Sequence, residues 1–537
     1  MAEASAGETS HPTRSAPWQS VRAAGSLLAT LSAVPYALFV LAVPLSLVTP
    51  QVVRDVGLSS TTTLARAITA GTCGVLLAGV FAAGAVGRRI PAHLVSLAGL
   101  VVLSAAALWI PSVSSLGELA LARAAQGAGA GAVLVATLAT AAGFGPRRGH
   151  LLTGAWALSA VVATALAPWA TYRLPFLPAE GWRSVLRPYP WLLALALVGT
   201  AVVVLTSLGS RSHRSEVIEP VADPEADPLD RADGHAGRLG WPLLLPAGIA
   251  VAAYLIRPSL YSAGGTATLY SLLLGTALVV VALAGVALAR SAGWRWGAAP
   301  PVVAVAAAVL TVTGSNAFTL ALFDGAGHWP LATGHVFPAL GGAALGGGLA
   351  TIAGRICPRR SRPTLTVAGL LLAAAGSFLP LSGGVALTAA GTIVVWVGVG
   401  LALGAVLGVT GPVAAGWLGA GFAVVGTLAS VQQSAVRTEF TTRAVPAGGG
   451  SDATSFLRTG FTDAHQAWIV ISGVLLVLVA LLVAWMARRR TVPTTTDSGE
   501  PGDTSTLDGD MGDIEDLTRG DATDEVGSET EAMPADR

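Results

Sequence analysis

About fourteen stretches of this chain are apolar, nearly free of charge and long enough to cross a bilayer. A helix rises about 1.5 Å per residue, so about 20 apolar residues span the roughly 30 Å hydrocarbon core. The stretches are continuously apolar rather than alternating, which points to helices and argues against a β-barrel. The expected fold is therefore an all-α polytopic membrane protein. Composition agrees: 11% of residues are charged, against roughly 25% in a soluble domain.

The spans are read at about 26–49, 66–87, 92–110, 116–141, 150–172, 189–208, 241–257, 266–289, 298–323, 333–354, 364–381, 386–409, 415–436 and 466–487. Gly and Pro are frequent within them, as membranes tolerate: Gly allows close helix contact, and neighbours satisfy groups freed by Pro. Residues 1–23 are polar and the apolar run after them is too long for a signal peptide, so the first span reads as uncleaved.

Orientation comes from Arg, because the chain has no Lys. With both termini cytoplasmic, and leaving aside Arg123 within a span and Arg519 and Arg537 in the remote tail, nineteen Arg fall on the inner side and nine on the outer, in keeping with the positive-inside rule. Trp109, Trp182, Trp191, Trp329 and Trp468 lie near span ends, where interfacial aromatics are expected. The absence of Lys, with abundant Ala, Gly and Arg, suggests a bacterial plasma-membrane protein.

Two segments are acidic: an inner loop at 209–240 and a tail at 488–537 with fourteen acidic residues. Both read as solvated linkers. Of two cysteines, Cys73 falls in a span and Cys357 in an inner loop, so no disulfide is expected, nor any metal site.

Residues 98–111 (AGLVVLSAAALWIP) resemble residues 368–380 (AGLLLAAAGSFLP), and each follows a short Arg-rich loop. The repeat divides the chain into a cytoplasmic segment 1–23, a six-helix half 24–208, the acidic loop 209–240, two inserted helices 241–297, a second six-helix half 298–487 and the tail 488–537. Parallel repeats of this kind are a standard transporter architecture.

Four stretches carry a family resemblance: Arg123-Ala-Ala-Gln126-Gly127-Ala-Gly129-Ala-Gly131, Pro50 through Ser59 with Asp55, Gly181-Trp182-Arg183, and Gly426 through Gln432-Gln433. They resemble the major facilitator superfamily, most closely its fourteen-span drug:proton antiporter branch. The resemblance implies two six-helix halves with two extra helices, a small-molecule substrate, protons as coupling ion and alternating access. It links Arg123 to proton relay. On physical grounds, an Arg inside a span costs roughly 2.5–3.5 kcal/mol and must face a cavity or a partner, either backbone carbonyls or Glu118. Gly127, Gly129 and Gly131 are expected to form a close-packing face.

Departures from the family pattern are informative. The inner-loop motif, here Gly84 to Gly87-Arg88-Arg89, lacks its Asp, and the second copy near Cys357-Pro358-Arg359-Arg360 is also degenerate. The span-five Gly-Pro signature is reduced to Ala167-Pro168, and Leu41 stands where the branch has an Asp. No Asp or Glu lies in the middle of any span. Proton coupling needs a group that titrates with the transport state. Glu118 is the best carboxylate candidate, with Asp324, Glu439, His328 and His335 as loop alternatives.

Gln126, Asn316, Gln432 and Gln433, with Trp156 and Trp396, sketch a mostly apolar cavity suited to a lipophilic or amphipathic molecule. The expected function is export of such a molecule. An uncoupled facilitator or lipid-like carrier, and a non-transporting sensor or assembly subunit, remain as alternatives. No Walker loop, His-Glu-x-x-His or nucleophile elbow occurs, so no enzyme and no cofactor is expected. There is no basic patch for nucleic acid. The expected partners are the substrate and membrane lipids, and the expected state is a monomer.

Overall fold

The structure, a computed structural model, describes residues 16–42, 52–56, 61–88, 90–144, 146–172, 181–212, 247–248, 329–358, 361–382, 385–407, 412–413, 415–424, 426–427 and 453–488. In chain order its helices are α1 (Ala16–Leu41), α2 (Thr61–Gly87), α3 (Ala92–Trp109), α4 (Leu116–Ala142), α5 (Pro146–Tyr172), α6 (Trp182–Leu186), α7 (Pro190–Ser212), α8 (Trp329–Ile356), α9 (Arg362–Phe378), α10 (Val385–Val406), α11 (Ala415–Val424) and α12 (Ala453–Arg488). They belong to one compact unit, Met1–Arg489; a second, Arg490–Arg537, lies outside the described residues.

Among the described residues, ten segments are long and apolar enough to cross a membrane. Their outward faces carry bare hydrocarbon: Phe81, Leu108, Leu151, Leu345, Leu349 and Ile356 are each more than 60% exposed. In water such a surface would aggregate; against lipid it is the solvated face. The chain is an all-α polytopic membrane protein. The expected spans at 241–257 (apart from 247–248), 266–289 and 298–323, and most of the far end of 415–436, lie outside the described residues, as does the acidic loop after residue 212.

The helices overrun their apolar stretches. α1 starts at Ala16 rather than near residue 26, and α12 at Ala453 rather than near 466. Apolar content marks where a helix crosses hydrocarbon, whereas backbone hydrogen bonding carries the same helix on into water. α3 and α9 both end in a 3-10 turn built on proline, Ile110–Ser112 with Pro111 and Leu379–Ser382 with Pro380. These are the two ends of the repeated segment, and they end alike because proline denies the α-helix a backbone donor.

Glycine sets the packing. α4 lies so close on α2 that a Cβ at Gly127 would sit 1.8 Å from the Gly71 carbonyl oxygen. Gly131 likewise meets Val75 of α2, but Gly129 meets Gly99 and Leu103 of α3. The one glycine face expected from sequence is thus two faces. Each residue turns the helix about 100°, so positions 127 and 131 share a side and 129 lies opposite. α10 repeats the arrangement: Gly400 meets Gly347 of α8, and Gly398 meets Gly369 of α9.

The first and second halves are in contact. A Cβ on Gly347 or Gly348 of α8 would meet Val161 or Leu158 of α5, and one on Gly419 of α11 would meet Val135 of α4. Among the described residues, Trp156, Trp182, Trp396 and Trp468 are the largest fully buried side chains. Two of these correct the interfacial reading. Trp109 and Trp191 are exposed at helix ends as expected, but Trp182 and Trp468 are packed inside.

Candidate functional site

Three segments distant in sequence meet at the end of the first half opposite its Arg-rich loops. The start of α4 is fixed by a reciprocal cap. Ser115 Oγ accepts the Glu118 backbone N–H at 3.2 Å, while Glu118 Oε2 accepts the Ser114 N–H at 2.8 Å and its hydroxyl at 3.2 Å. This satisfies donors that a helix start leaves open. It also sets the register that carries Arg123 into the interior.

Arg123 is buried on the side of α4 that faces α1 and α2. Its Nη1 donates to the Val40 carbonyl of α1 at 3.1 Å and to Gln126 Oε1 at 2.8 Å. Gln126 in turn donates through Nε2 to the Leu186 carbonyl at the end of α6, at 2.6 Å. Room for the guanidinium comes from Gly71, where a Cβ would lie 3.3 Å from Arg123 Nη2. Of the two partner classes expected for Arg123, the structure supplies a backbone carbonyl, together with a side-chain amide, and gives the Glu118 carboxylate to Ser114.

α6 is placed by the Gly-Trp-Arg segment. Gly181 has φ 54° and ψ −132°, a conformation essentially restricted to glycine. The turn buries Trp182 among Val52, Ala67, Ile110 and Leu119. Trp182 Nε1 donates to Asp55 Oδ2 at 2.8 Å, and Arg183 pairs with the same oxygen at 3.2 Å while lying over the Trp182 ring. The Asp55 segment, the α4 motif and the Gly-Trp-Arg turn therefore form one cluster. The Arg123 guanidinium, with five N–H donors and no acceptor, sets a positive potential inside the bundle at this end of the first half.

The other residues singled out from sequence fall elsewhere. Trp156 of α5 is buried, donates Nε1 to Thr137 Oγ1 at 3.1 Å and meets Phe422 edge-on at 5.7 Å. Trp396 is buried in the same apolar core. Gln126, Trp156 and Trp396 are thus closed off from solvent in this arrangement. α5 runs on past Pro168 to Tyr172. Gly87 ends α2, and Arg88 follows it in an exposed turn. Arg89, Asn316, Gln432 and Gln433 lie outside the described residues.

Two polar places had not been singled out. Ser26, Thr30, His93, Ser96, Thr140 and Thr200 line a narrow crevice between α1, α3, α4 and α7, where the hydroxyls of Ser26, Thr140 and Thr200 are buried without partners. Single Ser and Thr residues give no sequence signal of such a grouping. At the Arg-rich end, Arg355 of α8 and Arg362 of α9 reach His150 and Thr153 of α5. Here the available signal was the place of both Arg residues, directly at span ends.

No protein-family model matches this sequence, and neither does any curated protein. Among solved structures it is similar to a bacterial homolog of the human lysosomal transporter Spinster, crystallised in an inward-facing, unoccupied conformation. That match has 16% identity and a TM-score of 0.42, and covers 88% of this chain and 98% of the other.

Proposed function

We propose that this protein is a secondary active transporter of the major facilitator type that exports a hydrophobic or amphipathic small molecule. It works by alternating access with proton antiport, as a monomer in a bacterial plasma membrane with both termini inside. The observation that carries this reading is the convergence of the Asp55 segment, the Arg123–Gln126 pair and the Gly-Trp-Arg turn in a polytopic helical bundle. These are the stretches in which the sequence resembles that family. The two halves supply like packing on either side of a shared contact, which suits rocking of one half against the other.

The test is reconstitution in proteoliposomes, with lipophilic cations as trial substrates and an internal pH dye. Substrate-driven proton flux supports antiport. Substrate movement without proton flux supports the second reading, an uncoupled facilitator or lipid-like carrier. One observation favours that second reading: among the described residues, the two carboxylates at the Arg123 end are engaged, Asp55 by Trp182 and Arg183, Glu118 by Ser114.

A further inference from the structure

Where α5 meets the second half at the Arg-rich end, three basic side chains from three helices converge. Arg355, in the last turn of α8, is 7% exposed. Its Nε donates to the His150 carbonyl at 3.0 Å, and its Nη2 donates to that carbonyl and to Thr153 Oγ1. Its Nη1 is buried without a hydrogen-bond partner. Arg362, the first residue of α9, is also buried, and its Nη2 lies 3.3 Å from His150 Nε2.

Donor chemistry assigns the proton on this histidine. A guanidinium has five N–H donors, no acceptor, and stays charged. A hydrogen bond across the 3.3 Å Arg362–His150 approach requires His150 Nε2 as the acceptor, and with it a neutral imidazole protonated on Nδ1. An imidazolium donates from both nitrogens and accepts from none. A proton arriving from water at Nε2 thus removes the bond from Arg362 and sets a third positive charge beside Arg362 and Arg355.

Among the described residues, the elements packed against α5 place no carboxylate at this end to take that proton instead. On α5 the neighbours are Arg147 and Arg148, the latter bonded to Gln19 and Ser20 of α1. α1 brings Arg22, α8 brings Arg355 and α9 brings Arg362, while α10 has no ionisable residue. The ionisable residues of α4, Glu118 and Arg123, lie at its far end. The Cys357 thiol follows α8, and Arg359 and Arg360 lie outside the described residues.

We propose that His150 is a proton site that controls the contact between the two halves. Neutral His150 holds α5 against α8 and α9, and protonation releases them. The proposal rests on the transporter reading above, to which it gives a titrating group in a chain without a mid-span carboxylate. Its test reads conformation rather than transport.

Spin labels at Leu151→Cys and Ile356→Cys, both outward-facing positions, report the α5–α8 distance by pulsed electron resonance. The background is the full chain with Cys73 and Cys357 replaced by Ser. Between pH 8 and pH 5 a short distance should give way to a longer one, the ratio changing by up to about tenfold per pH unit for a single proton. His150→Gln, which still accepts from Arg362 but does not titrate, should hold the short distance throughout. Arg362→Leu, which removes the donor, should also abolish the pH dependence. An unchanged distance in the parent protein, or the parent's transition surviving in either variant, would overturn the proposal. A pH-driven distance change in a protein that moves no substrate upholds the His150 site and removes the transport reading instead.

Discussion

The two glycine-packed helices α4 and α10 are built alike and filled differently. Each meets its partner, α2 or α8, backbone to backbone, at Gly127 or Gly400. Four residues earlier, on the same side, α4 carries Arg123 and α10 carries Trp396. The arginine feeds a chain of hydrogen bonds from Val40 through Gln126 to Leu186, whereas the tryptophan joins the apolar core. Packing is duplicated and chemistry is not. Under the proposed function, the matched scaffolds would be the parts that move against each other and the Arg123 site the part that couples.

The sharpest way to break the comparison is at the glycines. A Cβ at Gly127 would lie 1.8 Å, and at Gly400 2.1 Å, from a carbonyl oxygen of the facing helix. Both backbones would have to part, so Gly127→Ala and Gly400→Ala should each cost at least the roughly 1–3 kcal/mol typical of overpacking. Gly117→Ala, which meets nothing within 4 Å, should be neutral or stabilising by up to about 1 kcal/mol. Thermal unfolding in detergent measures all three. Equal behaviour of Gly127→Ala and Gly117→Ala would remove the duplicated packing.

The next effects separate scaffold from chemistry. Trp396→Ala empties a large core site and should cost about 3–5 kcal/mol. Arg123→Ala leaves the Val40 carbonyl and Gln126 Oε1 without their donor, at about 1–3 kcal/mol for an unfilled buried group, but it also removes a desolvated charge. It should therefore lose transport at nearly normal stability, the reverse of Trp396→Ala. Gln126→Leu deprives the Leu186 carbonyl of its donor and should fall between the two in both readouts.

The smallest effects lie at the cap. Ser115→Ala should cost about 1 kcal/mol. Glu118→Gln keeps an acceptor for Ser114, so as a cap it should leave transport intact. Loss of proton-coupled export in that variant would instead make Glu118 the proton carrier.

Hydrophobic length made the membrane class and most helix positions plain in the sequence, because lipid imposes one requirement on every crossing segment. Arg123 was visible for the complementary reason: a charge inside an apolar run is costly and calls for an explanation. What the sequence did not show was direction. Which side of α4 each glycine faces, and that Trp182 turns inward to Asp55 rather than outward to the interface, depends on neighbours far along the chain. The Arg355–Arg362–His150 grouping was hidden similarly, since His150 lies more than two hundred residues before the two arginines.

The most direct test of the account is accumulation of a fluorescent lipophilic cation in cells expressing the protein or its Arg123→Ala variant, at matched membrane levels, with and without a protonophore. The account predicts lowered accumulation with the parent protein, abolished by the protonophore and absent in the variant. Lowered accumulation that is the same in the variant and indifferent to the protonophore would contradict it.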